Sequence, residues 1–232
     1  MTERFVRTEM LIGKQGVKKL AYSKIAVFGI GGVGSYVVEA LARSGVGAFT
    51  LIDADIICES NINRQLHALS STLGCPKVEV MAGRIQEINP SAEVCAKQIF
   101  YLGGGGGLDW DYDYVIDAID TITAKISIIS ESKKRGIPMI SSMGTGNKLN
   151  PAMLRVCDIS ETSVCPLARV MRRELNKRGI SGVKVVYSQE NPVACVKHDN
   201  KDKKPVIGSV SFVPSVAGLM IAAEVVRDLT GF

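Results

Sequence analysis

Short apolar runs alternate with amphipathic segments along the first part of the chain. Residues 24–29 form an apolar run that ends in glycine, which is typical of a buried parallel strand. Residues 34–43 have the spacing of small and apolar residues that predicts a helix. The glycines at 45 and 47 end this helix, and residues 48–52 form the next strand. The pattern therefore predicts a strand–helix–strand unit.

The same alternation continues to about residue 142. It predicts two further helices, at 77–88 and 121–135. It also predicts three further strands, at 94–99, 114–117 and 137–142. Alternating strands and helices predict an α/β fold with a Rossmann-like, doubly wound and mainly parallel sheet. Because such sheets bind ligands at the carboxyl ends of their strands, we expect the chemistry of this chain there.

The chain after residue 150 is less regular. It is predicted to contain strands near residues 153–157 and 183–187. A basic helix is predicted between them, near 166–178, and a final apolar helix near 214–229. We therefore divide the chain into a Rossmann-like part with a polar N-terminal arm, residues 1–150, and a smaller C-terminal extension, residues 151–232. This extension is expected to pack back on the sheet as part of one continuous domain. The five glycines at 103–107 and the charged residues 197–204 are predicted surface loops.

The composition narrows the class of protein. Hydrophobic residues make up 46% of the 232 residues and charged residues 22%, which is enough for one sizeable core. The six cysteines form no C-x-x-C pair, so we predict neither a disulfide framework nor a zinc ribbon, and a reducing cytoplasm fits best. The N-terminus lacks the apolar run of a signal peptide, and no run of about 18 apolar residues predicts a membrane span. The net charge of +5 permits an anionic partner such as nucleic acid.

A glycine-rich motif joins the first predicted strand to the first helix. Gly29, Gly31 and Gly34 have the G-x-G-x-x-G spacing, with a fourth glycine at Gly32, and this lets the backbone turn tightly beside a phosphate. Asp53 ends the next strand, where a carboxylate can hold ribose hydroxyls. Taken alone, these features favour a nicotinamide or flavin dinucleotide as the ligand.

A polar series after the second strand has no use in a dehydrogenase. Its members are Asp55, Asn61, Arg64, Gln65 and Lys77. Arg64 and Lys77 flank the carboxyl end of the sheet, where two cations can balance the charge of a triphosphate. Asp120 follows another strand end, where a carboxylate can hold Mg²⁺ on the phosphates. Each residue alone is also consistent with a helix cap or a solvated side chain.

Seven short motifs occur in the order found in one known family. The chain contains RFVRTEML, GIGGVGS, LIDAD, SNINRQ, GCPKVE, INP and DAID. Together they resemble the adenylating enzymes related to ubiquitin-activating enzymes and to bacterial sulfur-carrier activators. The resemblance implies that residues 1–150 form an ATP-binding adenylation domain that uses Mg²⁺. It leaves open whether a monovalent cation, Na⁺ or K⁺, orders the nucleotide site.

The resemblance also assigns roles residue by residue. Asp53 resembles the ribose ligand and Asp120 the magnesium-binding aspartate, while Asn61, Arg64, Gln65 and Lys77 resemble the residues that handle phosphate. Arg7 resembles an arginine that reaches the ATP site of the partner subunit, which implies a homodimer; without the resemblance it belongs to a loose basic arm. The implied catalytic residues are Arg7, Arg64, Lys77 and Asp120. The implied nucleotide contacts are Gly29, Gly31, Gly32, Gly34, Asp53, Asp55, Asn61, Arg64, Gln65 and Lys77.

The second half of the chain distinguishes two branches of the family. The segments GTGNK, DISET, PLAR and GSVSFVPSVAGL resemble the members that dehydrate threonylcarbamoyladenosine in tRNA. This implies tRNA as a partner, adenylation of a carboxylate by ATP, and closure of a ring. The missing C-x-x-C pairs disfavour the alternative, adenylation of the C terminus of a ubiquitin-like sulfur-carrier protein. A docked sulfur-transfer protein and a dinucleotide-dependent oxidoreductase stay open. A catalytically silent adaptor is disfavoured, because it would have no need to keep Arg64, Lys77 and Asp120 together.

The predicted basic helix is the candidate contact with tRNA. It carries Arg169, Arg172, Arg173, Lys177 and Arg178. These side chains can bind phosphates as diffuse electrostatic anchors, although a solvated helix face is the alternative. Arg172 and Arg173 cannot point the same way on one helix, so not all five can serve. Cys58 and Cys165 are the two candidates for a reactive thiol. Cys165 is the better one because it begins this helix, but a small buried filler is the favoured interpretation.

Overall fold

A seven-stranded sheet forms the centre of the molecule. The computed structural model describes residues 3–104, 107–194 and 207–232. The strands are β1 (Lys24–Phe28), β2 (Ala48–Ile52), β3 (Glu93–Lys97), β4 (Tyr114–Asp117), β5 (Met139–Ser142), β6 (Leu154–Asp158) and β7 (Lys184–Ser188). Their spatial order is β3-β2-β1-β4-β5-β7-β6, and all neighbours are parallel except β6 and β7. The predicted α/β fold with a doubly wound, mainly parallel sheet is confirmed.

Helices cover both faces of this sheet. Those that the described residues form are α1 (Val6–Ala21), α2 (Gly34–Ser44), α3 (Lys77–Ile88), α4 (Ile122–Arg135), α5 (Pro166–Asn176) and α6 (Phe212–Thr230). One buried cluster joins α1, α2, α3 and α6 to the sheet, and a second joins α4 and α5 to the opposite face. Alternate residues of β1 enter the two clusters, Ile25 and Val27 the first and Ala26 and Phe28 the second. Burial on both faces is the reason that β1 is a continuous apolar run.

The N-terminal arm, for which the sequence predicted a polar character but no regular element, forms a helix. A 3₁₀ turn at Glu3–Phe5 leads into α1, which is kinked at Gly13, where φ is 70°. Val17 and Leu20, one helical turn apart, are buried, and α1 packs against α6. Because only this narrow side of α1 is buried, the charged residues around it obscured the helical pattern in the sequence.

The C-terminal part of the chain completes the sheet. β7 lies beside β5, β6 forms the edge, and α6 packs against α2. Strands from both sides of residue 150 thus belong to one sheet, while the division into residues 1–150 and 151–232 stays a prediction. The predicted loop at 197–204 and two of the five consecutive glycines lie outside the described residues.

Candidate functional site

A cavity of about 350 Å³ opens at the carboxyl ends of β1, β2 and β4, and we call it the strand-end cavity. Its walls contain the predicted site residues Gly29, Gly31, Gly32, Asp53, Asp55, Asn61, Arg64, Gln65, Lys77 and Asp120. Two predicted residues are placed elsewhere. Gly34 is buried at the start of α2, and Arg7 is exposed on α1. Residues as far apart in sequence as 29 and 120 therefore meet at the carboxyl ends of the strands, as expected for a doubly wound sheet.

The glycine motif forms a turn that side chains would block. Gly29 has φ 87°, and a Cβ added to it would lie 2.7 Å from the carbonyl oxygen of Ala118. A Cβ added to Gly34 would lie 1.8 Å from the carbonyl oxygen of Gly29. Gly34 thus lets α2 begin against the turn and is a packing residue, whereas Gly31 and Gly32 face the cavity. The N–H groups of Ser35, Tyr36 and Val37 already donate to the carbonyls of Gly31 and Val33, so α2 itself offers an anion mainly the positive end of its dipole.

Asp53 ties the end of β2 to the glycine turn. Its Oδ2 accepts a hydrogen bond from the Ile30 N–H at 2.6 Å, and its Oδ1 accepts one from the Asp55 N–H at 2.8 Å. Each carboxylate oxygen has two lone pairs, so both can still accept a hydroxyl donor from the cavity. Asp53 therefore has a structural task beside the ribose contact implied by the sequence.

The two predicted cations of the cavity are already held by the protein. Lys77 Nζ lies 2.7 Å from Asp55 Oδ2, and the Lys77 side chain is only 5% exposed whereas that of Asp55 is 65% exposed. The Arg64 guanidinium donates to the Ser60 carbonyl and to Asn63 Oδ1, both at 2.8 Å. Such contacts fix both positive charges before any anion binds, which lowers the ordering cost of binding.

Asp120 supplies an exposed carboxylate on the wall of the cavity. It follows β4, and the Thr121 hydroxyl donates to its Oδ1 at 3.3 Å. Within residues 3–104, 107–194 and 207–232, no group of three or more His, Cys, Asp or Glu side chains could hold a metal ion. Mg²⁺ is commonly held by one or two carboxylates together with substrate phosphates. A single carboxylate beside an anion site fits that manner of binding.

An apolar and aromatic wall, not indicated by the sequence pattern, completes the cavity. It includes Ile52, Ile99, Phe100, Tyr101 and Ile119. Most of these residues lie between regular elements, where periodicity carries no signal. A planar base can pack against such a wall, while the polar groups opposite hold phosphates. Thr145, Ser209 and Pro214 bring the C-terminal part of the chain to the same cavity.

Three aromatic rings pack together behind this wall. The ring centroids of Phe28 and Tyr101 lie 5.0 Å apart in an edge-to-face arrangement, and those of Phe28 and Trp110 lie 5.7 Å apart in a stacked one. Trp110 is 4% exposed, and burial raises the pKa of the Tyr101 hydroxyl. The cluster supports the side of the cavity that Tyr101 lines.

Two buried polar side chains near the cavity lack hydrogen-bond partners in the described part of the chain. They are Gln65, through its Oε1, and His67, through both ring nitrogens. Burial, and then the nearby charge of Lys77, lower the pKa of His67 to about 4. His67 is therefore neutral at physiological pH. Gln65 lines the cavity, but its orphan oxygen is itself buried.

The five basic residues predicted for tRNA occupy α5 and its end in different environments. Arg169, Arg173, Lys177 and Arg178 are exposed. Arg172 is half-buried and donates to the Thr162 carbonyl at 2.6 Å and also to the Thr162 hydroxyl. Glu174 lies within 3.4 Å of Arg173, 2.9 Å of Lys177 and 3.0 Å of Arg178. Hydrogen bonds from Lys177, and then from Arg178, lower the pKa of Glu174 to about 2.

α5 runs away from the strand-end cavity. Its start lies beside the end of β5, since a Cβ added to Gly144 would lie 3.7 Å from Cys165 Sγ. After its end the chain continues to β7. Because β7 runs parallel to β5, it begins at the end of the sheet opposite the cavity, where the amino ends of these strands lie. Arg169 therefore lies toward the cavity, and Lys177 lies about two helical turns farther away. The structure does not bring these charges together with the cavity residues.

The described cysteines are free thiols, and Cys165 is buried. Burial agrees with the interpretation of Cys165 as a small filler. None of the helices formed by the described residues has the length and hydrophobicity needed to cross a bilayer.

Comparisons with known proteins agree with this geometry. A model of the ThiF family matches residues 5–232. The tRNA threonylcarbamoyladenosine dehydratase of Bacillus subtilis is 48% identical over 99% of this chain and 95% of its own length. The structure of Escherichia coli tRNA N6-threonylcarbamoyladenosine dehydratase with ATP is similar at a TM-score of 0.89 and 35% identity, covering 99% of this chain and 94% of that one. Its complex with AMP is similar at a TM-score of 0.90, with the same identity and coverage.

The family match includes the first motif apart from Arg4, all the other motifs on which the sequence resemblance rests, and every residue that lines the strand-end cavity. It extends through β6, β7 and α6, which complete the sheet and its covering helices. The chain belongs to the ThiF family.

Proposed function

We propose that the chain is an ATP-dependent dehydratase that acts on threonylcarbamoyladenosine in tRNA. The observation that carries the proposal is the strand-end cavity, in which a glycine turn, two fixed cations and an exposed carboxylate meet. The similar E. coli protein binds ATP and AMP, which are the substrate and the product nucleotide of an adenylation. The similar proteins from B. subtilis and E. coli are both named for dehydration of this tRNA nucleoside.

The reaction needs positioning and charge balance rather than a protein nucleophile. A carboxylate oxygen of the substrate attacks the α-phosphorus of ATP, and pyrophosphate leaves. A nucleophilic atom of the same modified nucleoside then attacks the activated carbonyl carbon and closes a ring, and AMP leaves with the former carboxylate oxygen. The net change in the nucleoside is loss of one water, with ATP converted to AMP and pyrophosphate.

The cavity residues divide these tasks. The base packs against the wall formed with Phe100 and Tyr101, Asp53 accepts from the ribose hydroxyls, and the turn at Gly31 and Gly32 faces the phosphates. A second set, Asn61, Arg64, Gln65 and Lys77, binds the phosphate oxygens. Their fixed positive charges stabilise the charge that develops on the transferred phosphoryl group.

Asp120 is the proposed magnesium ligand. Mg²⁺ bound there would neutralise charge on the phosphates and favour departure of pyrophosphate. The exposed carboxylate of Asp120 provides a protein ligand on the cavity wall, and the nucleotide provides the others.

The proposal includes a homodimer. Arg7 is exposed on α1, and the neighbouring Met10 and Leu11 are each 77% exposed. An exposed apolar side of a helix is typical of a protein–protein contact. In the dimer Arg7 reaches the ATP site of the partner subunit and adds a third cation to it.

The exposed cations of α5 form the proposed contact with the tRNA backbone. Arg169, Arg173 and Lys177 are exposed, and phosphates would compete with Glu174 for the last two, whereas Arg172 is half-buried and bonded to Thr162. A folded tRNA is much longer than α5, so one molecule can span both this helix and the cavity. Free thiols suit a reducing compartment, so we propose that the chain acts in the cytoplasm.

The test is mass spectrometry of the modified nucleoside. The purified chain is incubated with ATP, Mg²⁺ and tRNA that bears threonylcarbamoyladenosine, and the tRNA is digested under mild conditions. We expect loss of one water from the nucleoside, dependent on ATP and accompanied by AMP and pyrophosphate. An unchanged nucleoside, with ATP–pyrophosphate exchange appearing only after addition of a ubiquitin-like sulfur carrier, would instead assign the cavity to carrier activation.

A further inference from the structure

A fully buried ion pair adjoins the strand-end cavity. Asp117 is the last residue of β4 and Lys125 lies in the first half of α4, and the side chains of both are 0% exposed. Lys125 Nζ lies 2.9 Å from Asp117 Oδ2, and the Ser141 hydroxyl of β5 donates to the same oxygen at 2.6 Å. The pair therefore links two neighbouring strands to the helix that follows the cavity.

The pair holds both polar backbone groups of one cavity residue. The N–H of Ile119 donates to Asp117 Oδ1 at 3.2 Å, and the carbonyl of Ile119 accepts from Lys125 Nζ at 3.0 Å. Ile119 lines the cavity and immediately precedes Asp120. The N–H and the carbonyl belong to the two successive peptide units on either side of the Ile119 Cα. Neither unit can rotate without breaking a charge-assisted hydrogen bond to the buried pair.

The other side of the same turn is fixed by the glycine motif. The N–H of Ala118 donates to the Phe28 carbonyl at 2.8 Å. The Ala118 carbonyl oxygen faces Gly29, at 2.7 Å from the position of an added Cβ. Residues 118–120 are thus held between the glycine turn on one side and the buried pair on the other.

Stability alone does not explain a buried pair at this position. Desolvation of two charges is costly, and buried ion pairs replaced by neutral side chains of similar volume often leave stability unchanged or raised. An apolar side chain such as methionine at position 125 could fill the same space. It could not donate a hydrogen bond to the Ile119 carbonyl, and that bond fixes the backbone one residue before Asp120.

We propose that Asp117 and Lys125 are positioning residues that aim the Asp120 carboxylate at magnesium on the bound nucleotide. The inference rests on the proposed ATP site. It adds a role for two residues that do not touch the nucleotide themselves, and it makes the alignment of Asp120 depend on a charge buried in α4.

The test uses a neutral pair, Asp117→Asn with Lys125→Met, in the full-length chain. Asparagine retains an acceptor for the Ile119 N–H and can bond to Ser141, and methionine has nearly the volume of lysine. The double variant leaves no uncompensated charge in the core, unlike Lys125→Met alone. Its thermal unfolding is measured first, and we expect a melting temperature close to that of the unchanged chain.

The decisive measurement is ATP affinity by calorimetry, in Mg²⁺ and in EDTA, without tRNA. We expect the double variant to bind ATP in EDTA as the unchanged chain does, because the glycine turn, Arg64 and Lys77 are intact. In the unchanged chain, Mg²⁺ should raise the affinity for ATP above its value in EDTA. We expect the double variant to lose most of this increase, as Asp120→Asn should. Pyrophosphate exchange should then need a higher Mg²⁺ concentration.

Ser132→Ala is the matched control on α4. Ser132 is fully buried, its hydroxyl has no partner among the described residues, and it lies two turns beyond Lys125. This variant should keep the full effect of Mg²⁺. A folded double variant with an unchanged Mg²⁺ effect would overturn the proposal. Because the measurement omits tRNA, that result is separable from failure of the dehydratase assignment, which only the nucleoside mass reports.

Discussion

The strand-end cavity and the basic helix α5 are both rich in charge, but the protein holds those charges differently. In the cavity Lys77 is almost wholly buried and paired with Asp55 at 2.7 Å, and the surrounding backbone leaves no room for a Cβ at Gly29 or Gly34. On α5 most of the cations are exposed, and three of them share the single carboxylate of Glu174. The cavity therefore holds its charged groups in one fixed arrangement. The exposed cations of α5 instead provide a positive electrostatic field that can attract an anionic partner in many orientations.

This difference predicts which substitutions matter. A change in the cavity should act on the chemical step or on folding, because each group there has fixed partners. A change on α5 should act weakly and in proportion to charge, because solvent and salt screen exposed cations.

The largest effect is expected for Lys77→Ala. Loss of a buried cation opposite the phosphates should lower adenylation by a factor on the order of a hundred or more. Lys24→Ala is the matched control, since Lys24 is paired with Asp111 at a similar distance of 2.6 Å but is exposed at the other edge of the sheet. Rates of ATP–pyrophosphate exchange measure both variants, and equal rates would remove Lys77 from the site.

The next largest effect is expected for Gly34→Ala. The added Cβ would overlap the Gly29 carbonyl, so the turn or α2 must shift, and we expect a loss of about 2 kcal/mol or more in the free energy of unfolding. Gly83→Ala in α3 is the control, because its Cβ would meet nothing within 4 Å. That variant should gain roughly 0.5–1 kcal/mol from its higher helix propensity. Urea unfolding measures both, and similar values would contradict the tight turn.

Acid should destabilise the cavity side of the molecule through His67. Its pKa is about 4 in the folded chain and 6.5 when unperturbed, so between those pH values the unfolded chain binds the proton more readily. The contribution of neutral His67 to the free energy of unfolding is therefore fully present above about pH 6.5. It declines toward pH 4, by up to roughly 3 kcal/mol for a shift of this size. Denaturant unfolding should show a flatter pH profile in His67→Phe. An unchanged profile would mean that other groups control the acid transition.

The smallest effects are expected on α5. Arg173→Ala should weaken tRNA binding only a few-fold and lower the slope of log affinity against log salt by about 1, if this exposed cation contacts a phosphate. Arg172→Ala should leave the slope nearly unchanged and lower stability instead, because its guanidinium is bonded to Thr162. Filter binding over a range of salt concentrations distinguishes the two. The opposite ranking would mean that Arg172 leaves Thr162 to meet tRNA.

Local sequence signals predicted most of the sheet and the glycine turn. β2, β4 and α3 have the predicted bounds, because each is a short apolar or periodic run between clear end signals. The charges of α1 obscured its helical pattern. Phe100, Tyr101, Thr145 and Ser209 could not be foreseen as cavity residues, because only tertiary folding brings loop residues so far apart in sequence together.

The buried pair did leave a signal in the sequence. Lys125 shares the helical spacing of Ile128, Ile129 and Ser132, and all four side chains are buried on α4. A lysine on the apolar side of a predicted helix indicates a buried partner, and the preceding strand ends in the aspartate that provides it. Spacing alone could not show that the pair grips the backbone beside Asp120.

The aromatic cluster behind the cavity gives the protein an intrinsic optical probe. Trp110 is the single tryptophan of the chain, and its ring centroid lies 6.4 Å from that of Tyr101, which lines the cavity. Its emission comes from one buried indole in one environment, without the overlap of several fluorophores. We expect that nucleotide titrations can therefore be followed on the unlabelled protein, with the signal arising one ring away from the strand-end cavity.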